Sequence, residues 1–113
     1  MLKGNNTISL SNSTALYQAR AVYAEKNLTV KGDGKLTINL AMGNTNLSTI
    51  YGIATETGKL VIEGSAQITV NISSTYSGPI VHGLHGMGGV EVKDAAGFIT
   101  SISTSDAKKQ IGV

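Results

Sequence analysis

The sequence predicts an all-β fold: a short right-handed parallel β-helix, a solenoid of about three coils with three short strands in each. Three observations lead there. The first is a repeat. Val22, Ile53 and Leu84 recur every 31 residues, and the columns Leu28/Leu60/Val90 and Val30/Ile62/Val92 follow behind them. A third set opens with Leu36, Ile68 and Phe98 and runs through Ile38/Val70/Thr100 to Leu40/Ile72/Ile102. A fixed period of this size marks a solenoid, whose single unit cannot bury its apolar face alone. The second is an apolar period of two within each unit. Leu28 and Val30 alternate with Thr29 and Lys31, and Leu36, Ile38 and Leu40 alternate with Thr37 and Asn39. Strand side chains point to opposite faces in turn, so the aliphatics share one face. The third is a recurring turn position, Gly32, Gly64 and Asp94, where the chain must change direction between two strands and a positive φ is cheap for glycine.

The alternative architecture is an antiparallel β-sandwich, because Asp33-Gly34 between two alternating runs is also a hairpin signal. A sandwich, however, gives no reason for like residues to recur in register column after column.

The chain divides into a partial coil over 1–14, full coils over 15–48, 49–78 and 79–102, and a cap or tail over 103–113. Ile8 and Leu10 fall on the columns of Ile38 and Leu40, so the sequence opens in mid-coil and reads as a single domain excised from a larger protein. Met42–Ser48 and Ser73–Gly78 are polar insertions after the third strand of their coils, which gathers loops on one corner. The third coil is degraded: Gly83–Gly89 carries four glycines. Ser105 is placed to cap a short helical turn through Gln110, with Gly112 beyond it.

Composition narrows the function. A net charge of +2, with nine scattered Lys and Arg residues and no interleaved aromatics, argues against nucleic-acid binding. No cysteine is present for a disulfide or thiolate metal site, and no apolar run is long enough to insert in a membrane as a helix. Neither a signal peptide nor an anchor motif is found. His82 and His85 are three apart, a spacing that on a regular strand sends their rings to opposite faces, so no metal site is expected. The seven carboxylates form no crowded patch, and no nucleophile–base motif or phosphate-cradling loop is found. No catalytic residue and no cofactor is expected.

The column Arg20, Tyr51, His82 lies two residues before the Val22 column, and stacking would bring the three side chains together. Tyr76 sits in the second insertion. Sugar sites stack rings on tyrosine, so Arg20, Tyr51, Tyr76 and His82 are the candidate ligand-binding residues.

The strings Ala21-Val22-Tyr23-Ala24, Asn27-Leu28-Thr29-Val30-Lys31-Gly32 and Lys35-Leu36-Thr37-Ile38 resemble the β-helical repeats of large secreted bacterial surface proteins known as carbohydrate-binding-domain-containing proteins. The resemblance covers Ala21–Ile72 well and Gly83–Ile102 weakly, and its motifs are structural. It implies an extracellular or cell-wall-attached location and contact with glycan, and supplies no catalytic residues. The expected function is a non-enzymatic structural or adhesive module of a cell-surface protein. The alternatives are a carbohydrate-binding module and, behind it, a remnant of a polysaccharide lyase or hydrolase. The expected partners are a glycan ligand and a second copy joined through open coil ends.

Overall fold

Every strand pairing among the described residues of the computed structural model is parallel, and each joins a strand to its counterpart about one repeat away. The described residues are 1–12, 18–42, 49–74, 80–104 and 109–111. The strands are β1 (Asn5–Asn12), β2 (Gln18–Ala24), β3 (Leu28–Gly32), β4 (Lys35–Met42), β5 (Thr49–Thr55), β6 (Leu60–Gly64), β7 (Gln67–Ser74), β8 (Ile80–Gly86), β9 (Val90–Val92), β10 (Gly97–Thr104) and β11 (Lys109–Ile111). They form three sheets, ordered β1-β4-β7-β10, β11-β8-β5-β2 and β3-β6-β9. This is a short parallel β-helix of about three coils, and the sandwich is excluded. Asp33-Gly34 makes no hairpin: it carries the chain from β3 in one sheet to β4 in another.

The aliphatic columns are the core. Leu28 stacks on Leu60 and Leu60 on Val90, while Leu36, Ile68 and Phe98 stack in the same way, as do Leu40, Ile72 and Ile102. In the middle coil Ile53, Leu60, Ile62, Ile68, Val70 and Ile72 are buried almost completely. Each such side chain contributes about 1.5–3 kcal/mol by leaving water. The ends lose this cover. Leu40 is 1% exposed, but Leu10, one level outward in the same column, is 42% exposed.

The turn position behaves as its residues require. Gly32, Gly64 and Asp94 have φ of 125°, 77° and 57°. Aspartate is one of the few residues with a side chain that tolerates this region. Here its carboxylate also accepts a hydrogen bond from the Gly64 amide at 3.1 Å.

Three expectations change. The tail is no helix where it is described: Lys109–Ile111 is strand β11 and pairs with β8, so it begins another level of the coil. Met42, Ser73 and Ser74 belong to β4 and β7, because the parallel ladder runs on to Met42 and Ser74; the rest of both insertions, 43–48 and 75–78, lies outside the described residues. The four glycines of the third coil do not break its first strand, since β8 pairs with β5 from Ile80 to Gly86; the shortened strand is β9, with three residues against five in β3 and β6. Among the described residues no helix is long and apolar enough to cross a membrane.

Candidate functional site

The outer face of β2, β5 and β8 breaks the alternation seen elsewhere. In β5, Ile50 points into the core and Tyr51 points out. Gly52 and Ile53 then both face inward, Ala54 lies on the outer side, only 3% exposed among the surrounding side chains, and the buried Thr55 follows. A Cβ on Gly52 would lie 2.5 Å from the Gly83 carbonyl oxygen and 2.5 Å from Val70 Cγ1, so β5 has no room for a side chain at this inward step; in β2 Ala21 takes the same position and packs against the core. Two consecutive inward residues shift the phase of the strand by one. Positions three apart therefore share a face, and this corrects the expectation for the two histidines: the His82 and His85 rings lie on the same side, 4.9 Å apart and edge to face.

The result is two adjacent rows across the coils. Arg20, Tyr51 and His82 form one by direct register, and Tyr23, Ala54 and His85 form the other. Tyr51 is the pivot. Its ring is 5.2 Å from His82 and 5.1 Å from His85, tilted by 35° and 33°, within the range of favourable aromatic packing. The Arg20 guanidinium carbon lies 3.8 Å from the centre of the Tyr23 ring, a cation–π contact. The Tyr23 hydroxyl donates to Glu56 Oε2. The Glu56 amide in turn donates to the Ala24 carbonyl at 2.9 Å, which holds the end of β5 against β2.

Ala54 is the small residue at the centre of this arrangement. With a methyl where its neighbours carry rings, a depression of about 180 Å³ opens above it, bounded by Arg20, Tyr23, Tyr51, Thr55, Glu56, His85 and Met87. Among the described residues Glu56 is the one carboxylate in its lining. The hydrogen bond to the Glu56 carboxylate is the main cause that raises the Tyr23 pKa above its ordinary value; desolvation and the Glu56 charge add to it, and Arg20 opposes.

Of the four residues predicted from sequence, Arg20 and Tyr51 line the depression, and His82 supports it from behind through Tyr51. Tyr76 lies outside the described residues. Sequence reasoning missed Tyr23, Ala54 and Glu56, and set His85 on the wrong face. A signal existed: Tyr23, Ala54 and His85 are themselves spaced by 31 residues. Its meaning depends on the phase shift at Ala21, Gly52 and Gly83. No group of three or more His, Cys, Asp or Glu side chains able to hold a metal ion occurs among the described residues.

A second, more open depression of about 270 Å³ lies on the outer face of β4, β7 and β10, over Asn39, Ala41, Asn71, Ser73 and Ser101. It has neither rings nor charges. Comparison with protein-family models, with curated proteins and with solved structures finds no match to this chain.

Proposed function

We propose that the chain is a non-enzymatic adhesive β-helix module of a secreted or cell-surface bacterial protein, and that its adhesive contact is a carbohydrate held by the outer face of β2, β5 and β8. The observation that carries this reading is the depression over Ala54, where two tyrosines and a histidine surround one guanidinium and one carboxylate. Rings offer an apolar surface to sugar C–H groups, and the charged groups orient hydroxyls. Hydrolysis by the usual route needs two carboxylates across the scissile bond, and among the described residues this depression has one, which supports reading it as a binding site. The bacterial surface location rests on the resemblance of the repeats alone.

The test is retention of the purified chain on insoluble cell-wall polysaccharides, compared with a Tyr23→Ala/Tyr51→Ala double variant. Retention that the variant loses supports the reading. Equal retention of both proteins, or none of either, removes it.

A second reading concerns the coil ends. Core residues become exposed there, Leu10 at one end and Val92, at 39%, towards the other, and β1 and β10 each carry one unpaired edge. Such edges accept further strands. The proposed partner is a second copy, stacked head to tail so that the parallel ladder continues. Light scattering over a concentration series should show self-association, and a strictly monomeric species at high concentration would count against it.

A further inference from the structure

We propose that the depression over Ala54 takes one neutral pyranose, the terminal residue of a glycan. This inference rests on the sugar-recognition reading above and adds ligand size, charge and position in the chain.

Size comes first. Pockets for drug-sized molecules span about 300–1,000 Å³. A depression of about 180 Å³ holds a single sugar ring and excludes a disaccharide. The walls set the position. Arg20 and Tyr23 stand on β2, His85 stands on β8, Tyr51 closes one end along β5, and Glu56 closes the other. Flanked by these side chains and by the exposed Met87 beyond β8, the site is a partly open depression, and the residues at its two ends along β5 favour entry of a chain end over passage of an internal segment.

Charge decides the class. Arg20 and Glu56 bring one positive and one negative group to the same rim. A sugar carboxylate would meet Glu56, and a sugar ammonium would meet Arg20. A pair of hydroxyls suits both, since each hydroxyl can donate to a carboxylate and accept from a guanidinium. Glu56 already accepts from Tyr23 through Oε2, which leaves Oε1 for the ligand. The Arg20 guanidinium sits over the Tyr23 ring, and with five N–H donors it keeps some for the ligand beside its contact with Tyr23. Tyr51, held between His82 and His85, is fixed before the ligand arrives, so ordering it costs little on binding.

The experiment is a glycan array probed with the whole chain, followed by titration calorimetry on three oligosaccharides. They share a neutral hexose backbone and end in a neutral hexose, a uronic acid or an amino sugar. The expected result is binding of the neutral-terminated ligand, at least tenfold weaker binding of the two charged ones, and competition by free neutral hexose. Tyr51→Ala should abolish binding, while Glu56→Gln should narrow the gap for the acidic terminus and Arg20→Gln for the amino terminus. Circular dichroism of each variant checks that the coil is intact. Equal or tighter binding of a charged terminus, or binding of internal chain segments with capped ends, lost in Tyr51→Ala in either case, overturns this proposal and leaves sugar recognition standing. No binding across the array, or binding that Tyr51→Ala leaves unchanged, overturns both.

Discussion

Two outer faces of the same coil follow opposite rules. On the β1-β4-β7-β10 sheet the repeat is kept outside as well as inside. Thr7, Thr37 and Thr69 stack in one column, with Ile99 at the end. Ser9, Asn39, Asn71 and Ser101 form the next. Like meets like, and Asn71 Nδ2 donates to Asn39 Oδ1 at 2.9 Å, the side-chain equivalent of the backbone ladder beneath it. On the β2, β5 and β8 face the outer columns change identity at every level: Arg20, Tyr51, His82 and Tyr23, Ala54, His85. The Thr column and the Ser/Asn column present neither ring nor charge, although the outer column before them, Asn5, Lys35, Gln67 and Gly97, varies. On the β2, β5 and β8 face the varied columns give relief, with ring beside methyl and cation beside anion. The difference teaches where to look in a repeat protein: inner columns must match in order to stack, so variation in an outer column costs stability little and is where a shaped site can sit.

The sharpest way to break the contrast is to remove the phase shift that creates the varied face. Gly52→Ala drives a Cβ against the Gly83 carbonyl oxygen and Val70, both in the closely packed interior. Overpacking of this kind typically costs about 1–3 kcal/mol, and a backbone contact on one side places it near the upper end. Thr69→Val, on the uniform face, should change stability by less than about 0.5 kcal/mol, as surface substitutions usually do. Urea unfolding midpoints of the two variants read the difference directly. Similar midpoints would mean that β5 accepts regular alternation and that the glycine is incidental.

A smaller effect separates ladder from site. Asn71→Ala removes the amide pair with Asn39, and a net hydrogen bond of this sort contributes about 1 kcal/mol. The loss should appear in stability and leave glycan retention untouched. Ala54→Leu acts on the site instead. The leucine fills the depression and binding disappears; because Ala54 is only 3% exposed, the added volume also costs about 1–3 kcal/mol of stability, which the urea midpoint reads. If Ala54→Leu retains binding, the sugar site lies elsewhere on the chain.

These two faces were not equally legible in the sequence. The uniform one was readable because strict alternation and a fixed period carry both the strand and its register: Leu36, Ile38 and Leu40 pair as their spacing implies, and the turn column Gly32, Gly64, Asp94 adopts positive φ throughout. The Arg20, Tyr51, His82 column was readable for the same reason. The rest of the site was hidden by two physical facts. Alternation assigns faces only while it is unbroken, and the inward pairs Ala21-Val22, Gly52-Ile53 and Gly83-Leu84 each reverse the assignments after them in their own strand, which misplaced His85 and concealed Tyr23 and Ala54 as partners. Glu56 lies just beyond β5, and what draws it to the site is a side-chain bond to Tyr23 that no periodicity encodes. The tail misled for a different reason: a helix-capping pattern over a few residues is a weak local preference, and pairing with β8 outweighs it.

The finest test of the varied face leaves the fold and the depression in place and asks only about one proton. Tyr23 donates to the Glu56 carboxylate, so removing the proton would place phenolate beside carboxylate; the bond and the repulsion both hold the Tyr23 pKa above its ordinary value, against the pull of Arg20. An unperturbed tyrosine titrates near pH ~10. The folded state thus binds this proton more tightly than the unfolded chain does. The corresponding stabilisation is present below the unfolded pKa and is lost as the pH rises through the raised folded value. In a phenolate absorbance titration one tyrosine should lag behind the ordinary range, and the lag should vanish in Tyr23→Phe. In Glu56→Gln the anionic acceptor is gone while Arg20 remains, so the Tyr23 transition should move down towards the ordinary range. A lag that survives in Glu56→Gln would assign the shift to desolvation instead. The Tyr23–Glu56 bond would then not close that side of the depression, and the charge argument for a neutral ligand would lose one of its two rim groups.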